Sequence, residues 1–352
     1  MNAPRRLAVA VIAAAAVGAA ARVPADAPSH QPPLRSIAEI LALPREALEA
    51  GPPAVVRGTV SWISIGSAVV QDAEATLWVA APWSAALEGL EPPARLERGC
   101  IVEIEGRVMP GSYSPVLIPD RVRCVGREPP PASPPADVDE LFRGGAVGRR
   151  VRVNGVVQGR VKIGGDRVGL LLDVGARHVV VGVAETAKPC ADRLVDAEIV
   201  ADGVVGASSN SRGEFLAPTV SIAHGGDIRV VKPAPSDPFA GKVVPLDSVT
   251  RFRAGGREAH RILTEGTVSR ASPEWLCLED ASIGIRVDLA PGESCAGNQP
   301  ERPFAAGDRV RVAGFLDSRR GFVSLAFAVA DPRLLVLVER GRPELDRAYH
   351  MV

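Results

Sequence analysis

Hydrophobic and polar positions recur along the chain in one phase. GTVS stands at Gly58–Ser61 and again at Gly266–Ser269, and the VVQD and CLED segments that follow keep the same offset. A diverged version lies between them, with Gly155 in the place of Gly58. Recurrence in register predicts internal repeats. We place three of them, at 36–128 (repeat 1), 137–232 (repeat 2) and 243–341 (repeat 3).

The same order of elements is predicted in each repeat. A short helical lead-in comes first, clearest at 36–50, where Ser36 and Glu39 form a capping box. A strand with a central glycine follows, then two strands around an Asp-led turn, a fourth strand near a second glycine, and a fifth strand. This pattern predicts an all-β fold of three tandem five-stranded Greek-key barrels of the OB type, each with a helical lead-in. A five-stranded sandwich of another topology is the alternative.

The recurring glycines and aspartates are predicted to be structural. Glycine inside a strand marks a bulge, a bend or a close backbone approach. An aspartate at a turn accepts bonds from nearby backbone N–H groups, and calcium would need more oxygen ligands than one isolated carboxylate supplies. The glycines are Gly58, Gly155, Gly266, Gly106, Gly203 and Gly314, and the turn aspartates are Asp72, Asp173 and Asp280.

Proline-rich segments separate the repeats. Stiff, extended linkers are predicted at 129–136 and 233–242, and a similar tether at 22–35. Residues 1–21 combine Arg5-Arg6 with an apolar run and a small-residue triplet, which predicts a signal peptide. An uncleaved N-terminal anchor is the alternative, although the apolar run is short for a membrane span. We therefore expect an extracytoplasmic chain, periplasmic or secreted, with no membrane span after cleavage and a C-terminal tail at 342–352.

The first repeat carries a family resemblance. Its helical lead-in, GTV, VVQD, GCIVEIEGRV, SYSPVL and PDRV segments resemble the tandem OB-like modules in the extracytoplasmic sensor region of bacterial sensor histidine kinases and diguanylate cyclases. The resemblance covers roughly 36–341 and implies a binding or sensing module without catalytic residues. Those sensors continue into a transmembrane helix and a signalling domain, whereas this sequence ends at Val352.

Charge and motifs restrict the function further. Lys and Arg number 41, and so do Asp and Glu, so there is no basic platform for a phosphate backbone. HExxH, paired CxxC, G-x-S-x-G and P-loop motifs do not occur, so no enzyme, cofactor or metal is expected. The predicted partner is an extracytoplasmic protein, peptide or glycan, and nucleic acid is not expected. A nucleic-acid-binding OB protein is the competing class, and a structural spacer or truncated sensor the third.

Tryptophan and cysteine residues complete the predictions. Trp78 and Trp83 are candidates for a ligand surface, with core or loop packing as the alternative. Cys100 and Cys124 are predicted to form a disulfide, because they stand opposite each other if their strands fold back about Ser112. Buried free thiols are the alternative. Cys277 and Cys295 are a second candidate pair, which leaves Cys190 over.

Overall fold

The structure is a computed structural model. The residues that it describes are 32–64, 66–80, 86–88, 96–163, 168–175, 177–183, 192–249, 259–272, 275–289, 304–317, 326–329 and 334–341. The signal segment, Trp83, Cys190, Cys295 and the C-terminal tail lie outside these residues. Strands predominate over helices in the described part of the chain, and no described helix has the length and apolar character of a membrane span.

Repeat 1 begins with the predicted capping box, which is confirmed. The Ser36 side chain accepts from the N–H groups of Ala38 and Glu39, while the Glu39 carboxylate accepts from the Ser36 N–H. The lead-in then buries Ile37 and Ile40. The elements are α1 (Ile37–Leu41), α2 (Arg45–Glu49), β1 (Pro53–Ser64), β2 (Ser67–Gln71), β3 (Thr76–Ala80), β4 (Ala86–Glu88), β5 (Cys100–Met109) and β6 (Val116–Arg127).

The strand pairings of repeat 1 form a closed circuit. β1 pairs antiparallel with β2 on one side and with β5 on the other. β2 in turn pairs antiparallel with β3, and β5 pairs antiparallel with β6. β3 and β6 then pair in parallel. β4 adds to the outer edge of β6 in parallel.

Repeat 2 has the same circuit. Its first strand pairs with its second and fourth strands, and its third and fifth strands close the circuit in parallel. The elements are α3 (Val138–Arg143), β7 (Arg150–Lys162), β8 (Val168–Asp173), β9 (His178–Gly182), β10 (Glu198–Ser209), β11 (Phe215–Ser221) and β12 (Ile228–Lys232).

Repeat 3 has the same pattern, again with one parallel strand pair that closes the circuit. Its elements are β13 (Val243–Val244), α4 (Leu246–Val249), β14 (Ile262–Ala271), β15 (Trp275–Glu279), β16 (Gly284–Leu289), β17 (Arg309–Asp317), β18 (Ala326–Val329) and β19 (Leu335–Glu339).

The predicted count of five strands per repeat is corrected, because the structure describes six strands in repeat 1, six in repeat 2 and seven in repeat 3. β4 in repeat 1 and β13 in repeat 3 are additional strands, and the ends of repeats 2 and 3 also differ from the prediction. The final segment of each was predicted as one strand, but it forms two, β11 with β12 and β18 with β19. In repeat 2 a short 3-10 turn at Gly225–Asp227 separates the two strands. β12 and β19 then pair with the N-terminal parts of β10 and β17. In repeat 1 the long strand β6 takes the place of both.

The strand glycines lie where backbones approach closely. A Cβ on Gly58 would be 2.6 Å from the carbonyl oxygen of Gln71, and one on Gly266 would be 3.0 Å from that of Glu279. On Gly155 it would overlap the carbonyl oxygen of Asp173. In each repeat, the residue after this glycine is the point at which the first strand starts to pair with the second. The last residue of the second strand therefore covers the glycine.

The fourth-strand glycines are also enclosed. A Cβ on Gly106 would overlap the carbonyl oxygen of Ile118, and one on Gly203 would be 2.7 Å from that of Ser221. Gly314 is buried and pairs with Ile262.

A β-bulge occurs at one position in all three repeats. The pairing of the first and second strands shifts between Val60 and Trp62, between Val157 and Gly159, and between Val268 and Arg270. The bulged residues are Ser61, Gln158 and Ser269, and all are buried. The Ser61 hydroxyl donates to the Val69 carbonyl at 3.2 Å, and Ser269 donates to Cys277 at 3.4 Å. The serine of GTVS thus satisfies its buried hydroxyl at the bulge.

Two of the turn aspartates, Asp72 and Asp280, hold the lead-in helices as well as the turns, and Asp173 accepts from the N–H of Gly175 in its own turn. Asp280 Oδ1 accepts from the N–H groups of Ser282 and Ile283, and its Oδ2 accepts from the N–H of Leu246 in α4. Burial opposes ionisation of Asp280, but these bonds and the Ser282 hydroxyl outweigh it, so the pKa of the carboxyl lies below its ordinary value. Asp72 makes the same connection, from its own turn to the N–H of Ile37.

The Asp280→Ala variant is expected to lose about 1–3 kcal/mol of unfolding free energy in repeat 3, because several N–H groups lose their acceptor. Since the folded-state pKa is lowered, the contribution is complete above about pH 4 and is lost as the pH falls through the lowered pKa. Urea unfolding at pH 7 and at pH 3 measures both effects. The difference between variant and native protein should shrink at the lower pH, and an equal difference would contradict this role.

The register predicted for the two cysteines is wrong. Bulges in the β5–β6 pairing place Cys100 opposite Arg127 and Cys124 opposite Val102. Both thiols are free, and Cys124 Sγ donates to the Gly126 carbonyl at 3.4 Å. Burial is the main reason that the pKa of the Cys100 thiol lies above its ordinary value, and a hydrogen bond with Cys124 raises it further. The thiols are therefore neighbours across the ladder without being paired directly.

Candidate binding face of repeat 3

The β-bulge turns the next side chain of the first strand outward. In repeat 1 this side chain is Trp62, which lies opposite Val69, and Val69 lies opposite Trp78. These three residues form a row across β1, β2 and β3, which we call the repeat 1 row. Their neighbours in the strands, among them Val60 and Leu77, point into the core instead.

The repeat 1 row is an intramolecular contact. Trp62 is 5% exposed, and with Val69 it packs against Val204 and Ala223 of repeat 2. Trp78 lies at the border of the same cluster, with its ring centroid 5.6 Å from that of Trp62 in an edge-to-face arrangement. Trp78 therefore faces away from the core of repeat 1. The surface that it forms is in contact with repeat 2.

Repeat 2 contacts the start of repeat 3 through polar groups. Gln158, its bulged residue, donates through Nε2 to Asp173 at 3.1 Å and to the Ala259 carbonyl at 2.9 Å. Nearby, buried Asp196 accepts from the backbone N–H of Arg261 at 3.2 Å and lies 3.0 Å from His260 Nδ1. Polar contacts thus link this end of repeat 2 to the chain that enters repeat 3.

The equivalent row in repeat 3 has a different chemistry. Arg270 lies opposite Cys277 on β15, and Cys277 lies opposite Arg286 on β16. We call these residues the repeat 3 row. Arg270 is exposed, Cys277 and Arg286 are half-buried, and two positions that carry tryptophan in repeat 1 carry arginine here.

An aromatic ring lies beside the repeat 3 row. Trp275 is half-buried on the same outward face of β15 as Cys277, two residues away. The guanidinium carbon of Arg286 lies 5.2 Å from the centroid of the Trp275 ring, a cation–π distance. Arg286 Nε also donates to Asp288 at 2.6 Å, so this arginine is held in place from two sides.

The two arginines of this face differ in their ion-pair partners. Asp288 pairs with Arg286, and Glu279 lies at the far end of β15. Arg270, in contrast, has no hydrogen-bond or ion-pair partner among the residues that the structure describes. Burial is the main reason that the pKa of the Cys277 thiol lies above its ordinary value, although the positive charges of Arg286 and Arg270 oppose the shift. At neutral pH, Cys277 thus adds no negative charge between the arginines.

The sequence did not single out this face. Trp275, Arg270 and Arg286 are ordinary residues in the sequence, and only the bulge brings them onto one surface. The available signal was the comparison of repeats, in which Trp62 and Trp78 align with the two arginines. Within the described ranges, no group of three or more His, Cys, Asp or Glu side chains is arranged to hold a metal ion.

Comparison with known proteins gives weak similarities. No family model matches the chain, and no curated protein is detectably similar in sequence. Asparaginyl-tRNA synthetase from Pyrococcus horikoshii is a similar structure, with a TM-score of 0.24 and 16% identity over 31% of this chain and 25% of that chain. The chain spans about a quarter of the length of the tRNA synthetases that it matches.

Two DNA complexes are also similar in structure. A murine DNA binding protein bound with ds DNA has a TM-score of 0.24 and 12% identity, over 55% of this chain and 99% of that chain. The Ifi202 HINa domain in complex with 20bp dsDNA has a TM-score of 0.19 and 13% identity, over 55% of this chain and 96% of that chain. Scores of this size carry no argument about what the present chain binds.

The predicted class of partner is corrected at this point. The sequence favoured an extracytoplasmic protein, peptide or glycan and gave nucleic acid as not expected. That exclusion is not upheld: proteins bound to DNA are among the structures to which this chain is similar. The proposed partner therefore follows from the side chains of this chain.

Proposed function

We propose that the chain is a binding protein without catalytic activity, in which each closed circuit of strands is a five-stranded barrel of the OB type. We propose further that repeat 3 binds single-stranded nucleic acid on the outer face that carries Trp275 and the repeat 3 row. The predicted signal segment would place this activity outside the cytoplasm.

One observation carries this proposal. The position that repeat 1 uses for apolar contact with repeat 2 bears two arginines and a neighbouring tryptophan in repeat 3. A tryptophan–valine–tryptophan row fits a dry contact with another domain. An arginine–cysteine–arginine row fits a partner that is anionic and hydrated. The adjacent indole ring of Trp275 requires in addition that the partner carry a planar, apolar group.

Single-stranded nucleic acid meets both requirements. Its bases stack on aromatic side chains irrespective of sequence, and its phosphates bind arginine. Trp275 is the residue available for stacking. Arg270, which is exposed and unpartnered among described residues, is available for one phosphate, and Arg286 lies beside the ring for the next. Duplex DNA would present its bases stacked inside the helix, so we expect weaker binding to a duplex.

Fluorescence anisotropy with a labelled oligothymidine tests the proposed function. We expect a dissociation constant of about 1–100 µM at physiological salt, the range of sequence-independent binding. Two arginine contacts to phosphate predict a slope of about −1.4 for log K against log salt, since each contact contributes about −0.7 for a single strand.

An abasic strand of the same length provides the matched control. It keeps every phosphate but offers no base to Trp275, so we expect it to bind roughly tenfold more weakly. Equal binding of both strands would show that the face recognises any polyanion. Failure of the oligothymidine to bind at low salt would overturn the proposal.

A further inference from the structure

A second aromatic surface lies between repeats 1 and 2. Tyr113, in the turn between β5 and β6, has its ring centroid 5.3 Å from that of Phe215, the first residue of β11. The two turns occupy the same place in successive repeats. Tyr113 is 39% exposed, and Leu216, next to Phe215, is 60% exposed. We call the contact of these two turns the inter-repeat seam.

Glycines with positive φ allow the seam to close. A Cβ on Gly144, which ends α3 with φ of 79°, would lie 2.9 Å from the Tyr113 hydroxyl and 3.4 Å from the Phe215 ring. A Cβ on Gly213, with φ of 77°, would lie 3.0 Å from the carbonyl oxygen of Ser112. The Gly144 backbone thus lies against both rings, and the Gly213 backbone lies against Ser112, the residue before Tyr113.

Arginines border the seam. Arg45 Nη1 would lie 3.4 Å from a Cβ on Gly213, and Arg212 is the residue before that glycine. Each is paired with a glutamate, Glu49 and Glu214, but these ion pairs are exposed and contribute little in water, so a phosphate can replace them. Arg143, which precedes Gly144, is exposed and has no partner within the described part of the chain.

We propose that the inter-repeat seam is a second contact for single-stranded nucleic acid. A base stacks on the exposed Tyr113 ring, which Phe215 supports, and Arg143, Arg45 and Arg212 face the phosphates on either side. This inference rests on the proposed function of repeat 3 and extends it. The chain then holds a strand, or two strands, at two separate aromatic surfaces, one in repeat 3 and one between repeats 1 and 2.

Photocrosslinking of the full-length mature chain to oligonucleotides that carry 5-iodouracil tests the seam. We expect two crosslinked peptides, one with Trp275 and one with Tyr113 or Phe215. Crosslinks at Trp275 alone would overturn the seam and leave the proposed function standing. Crosslinks at neither place would overturn both.

Two variants sharpen the result. Tyr113→Leu/Phe215→Leu should abolish the seam crosslink, keep the one at Trp275, and weaken binding of a long oligothymidine roughly tenfold. Leu216→Ala removes exposed apolar surface at the same place but leaves both rings, so nucleic-acid binding should not change. If the double leucine variant binds and crosslinks like the native protein, or if Leu216→Ala is the variant that loses binding, the seam is an apolar docking surface and the proposal is wrong.

Discussion

Gly155→Ala is expected to destabilise repeat 2 by about 3 kcal/mol or more, the upper part of the range for overpacked sites. The added Cβ would overlap the carbonyl oxygen of Asp173 and also approach Leu172 Cγ at 3.1 Å. Relief requires movement of the β7 and β8 backbones, which are tied together by the pairing that begins at Val156. For a unit of about a hundred residues, this loss corresponds to a melting temperature lowered by more than about 10 °C.

Differential scanning calorimetry with hydrogen exchange would measure the effect and assign it to repeat 2. Gly159→Ala is the matched control, since Gly159 belongs to the same strand and no atom of the described residues lies within 4 Å of its Cβ position. We expect this control to melt close to the native protein. A Gly155→Ala variant that melts like the control would mean that the close approach at Asp173 has no energetic weight.

Arg270→Glu/Arg286→Glu is expected to weaken binding of single-stranded DNA by about 100-fold or more, because each charged hydrogen bond to phosphate contributes about 1.5–3 kcal/mol. The reversed charges also repel the backbone. The salt dependence should become nearly flat, which separates loss of phosphate contacts from loss of stacking. Anisotropy titrations over a series of salt concentrations provide both numbers.

A charge-matched control is available on repeat 2. Arg229 and Lys232 are exposed on β12 and have no ion-pair partner among described residues, so Arg229→Glu/Lys232→Glu changes the net charge by the same amount. We expect it to alter affinity only slightly. The single variant Arg270→Glu is a control for misfolding, because Arg270 makes no hydrogen bond or ion pair with another described residue. Equal losses in the two double variants would show a general charge effect and contradict a site on repeat 3.

The sequence predicted much of the backbone but little of the candidate site. Repetition of GTVS indicated where first strands lie, and the capping box at Ser36 and the turn at Asp280 follow from local hydrogen bonding. Such features depend on a few adjacent residues. The parallel closure between third and fifth strands depends on distant segments, and no short pattern in the sequence encodes it.

Strand register is the feature that the sequence predicted least well. A bulge adds one residue to one strand, so every side chain beyond it changes face. Ser269 gives no local sign of this, since serine occurs equally well in a regular strand. Regular alternation of side chains along β14, without the bulge, would place Arg270 on the side of the strand that faces the hydrophobic core. The same kind of shift in the β5–β6 pairing separated Cys100 from Cys124.

The bulge that the three repeats share also affects how such a chain can diversify. After a gene segment is duplicated, each daughter module inherits three outward positions that lie outside its hydrophobic core. Mutation can convert them from an apolar contact between modules into a charged binding surface, with little loss of folding stability. A module whose outward positions contact a neighbouring module is constrained by that contact, as repeat 1 is at Trp62 and Val69, whereas a module without such a contact can change these positions more freely.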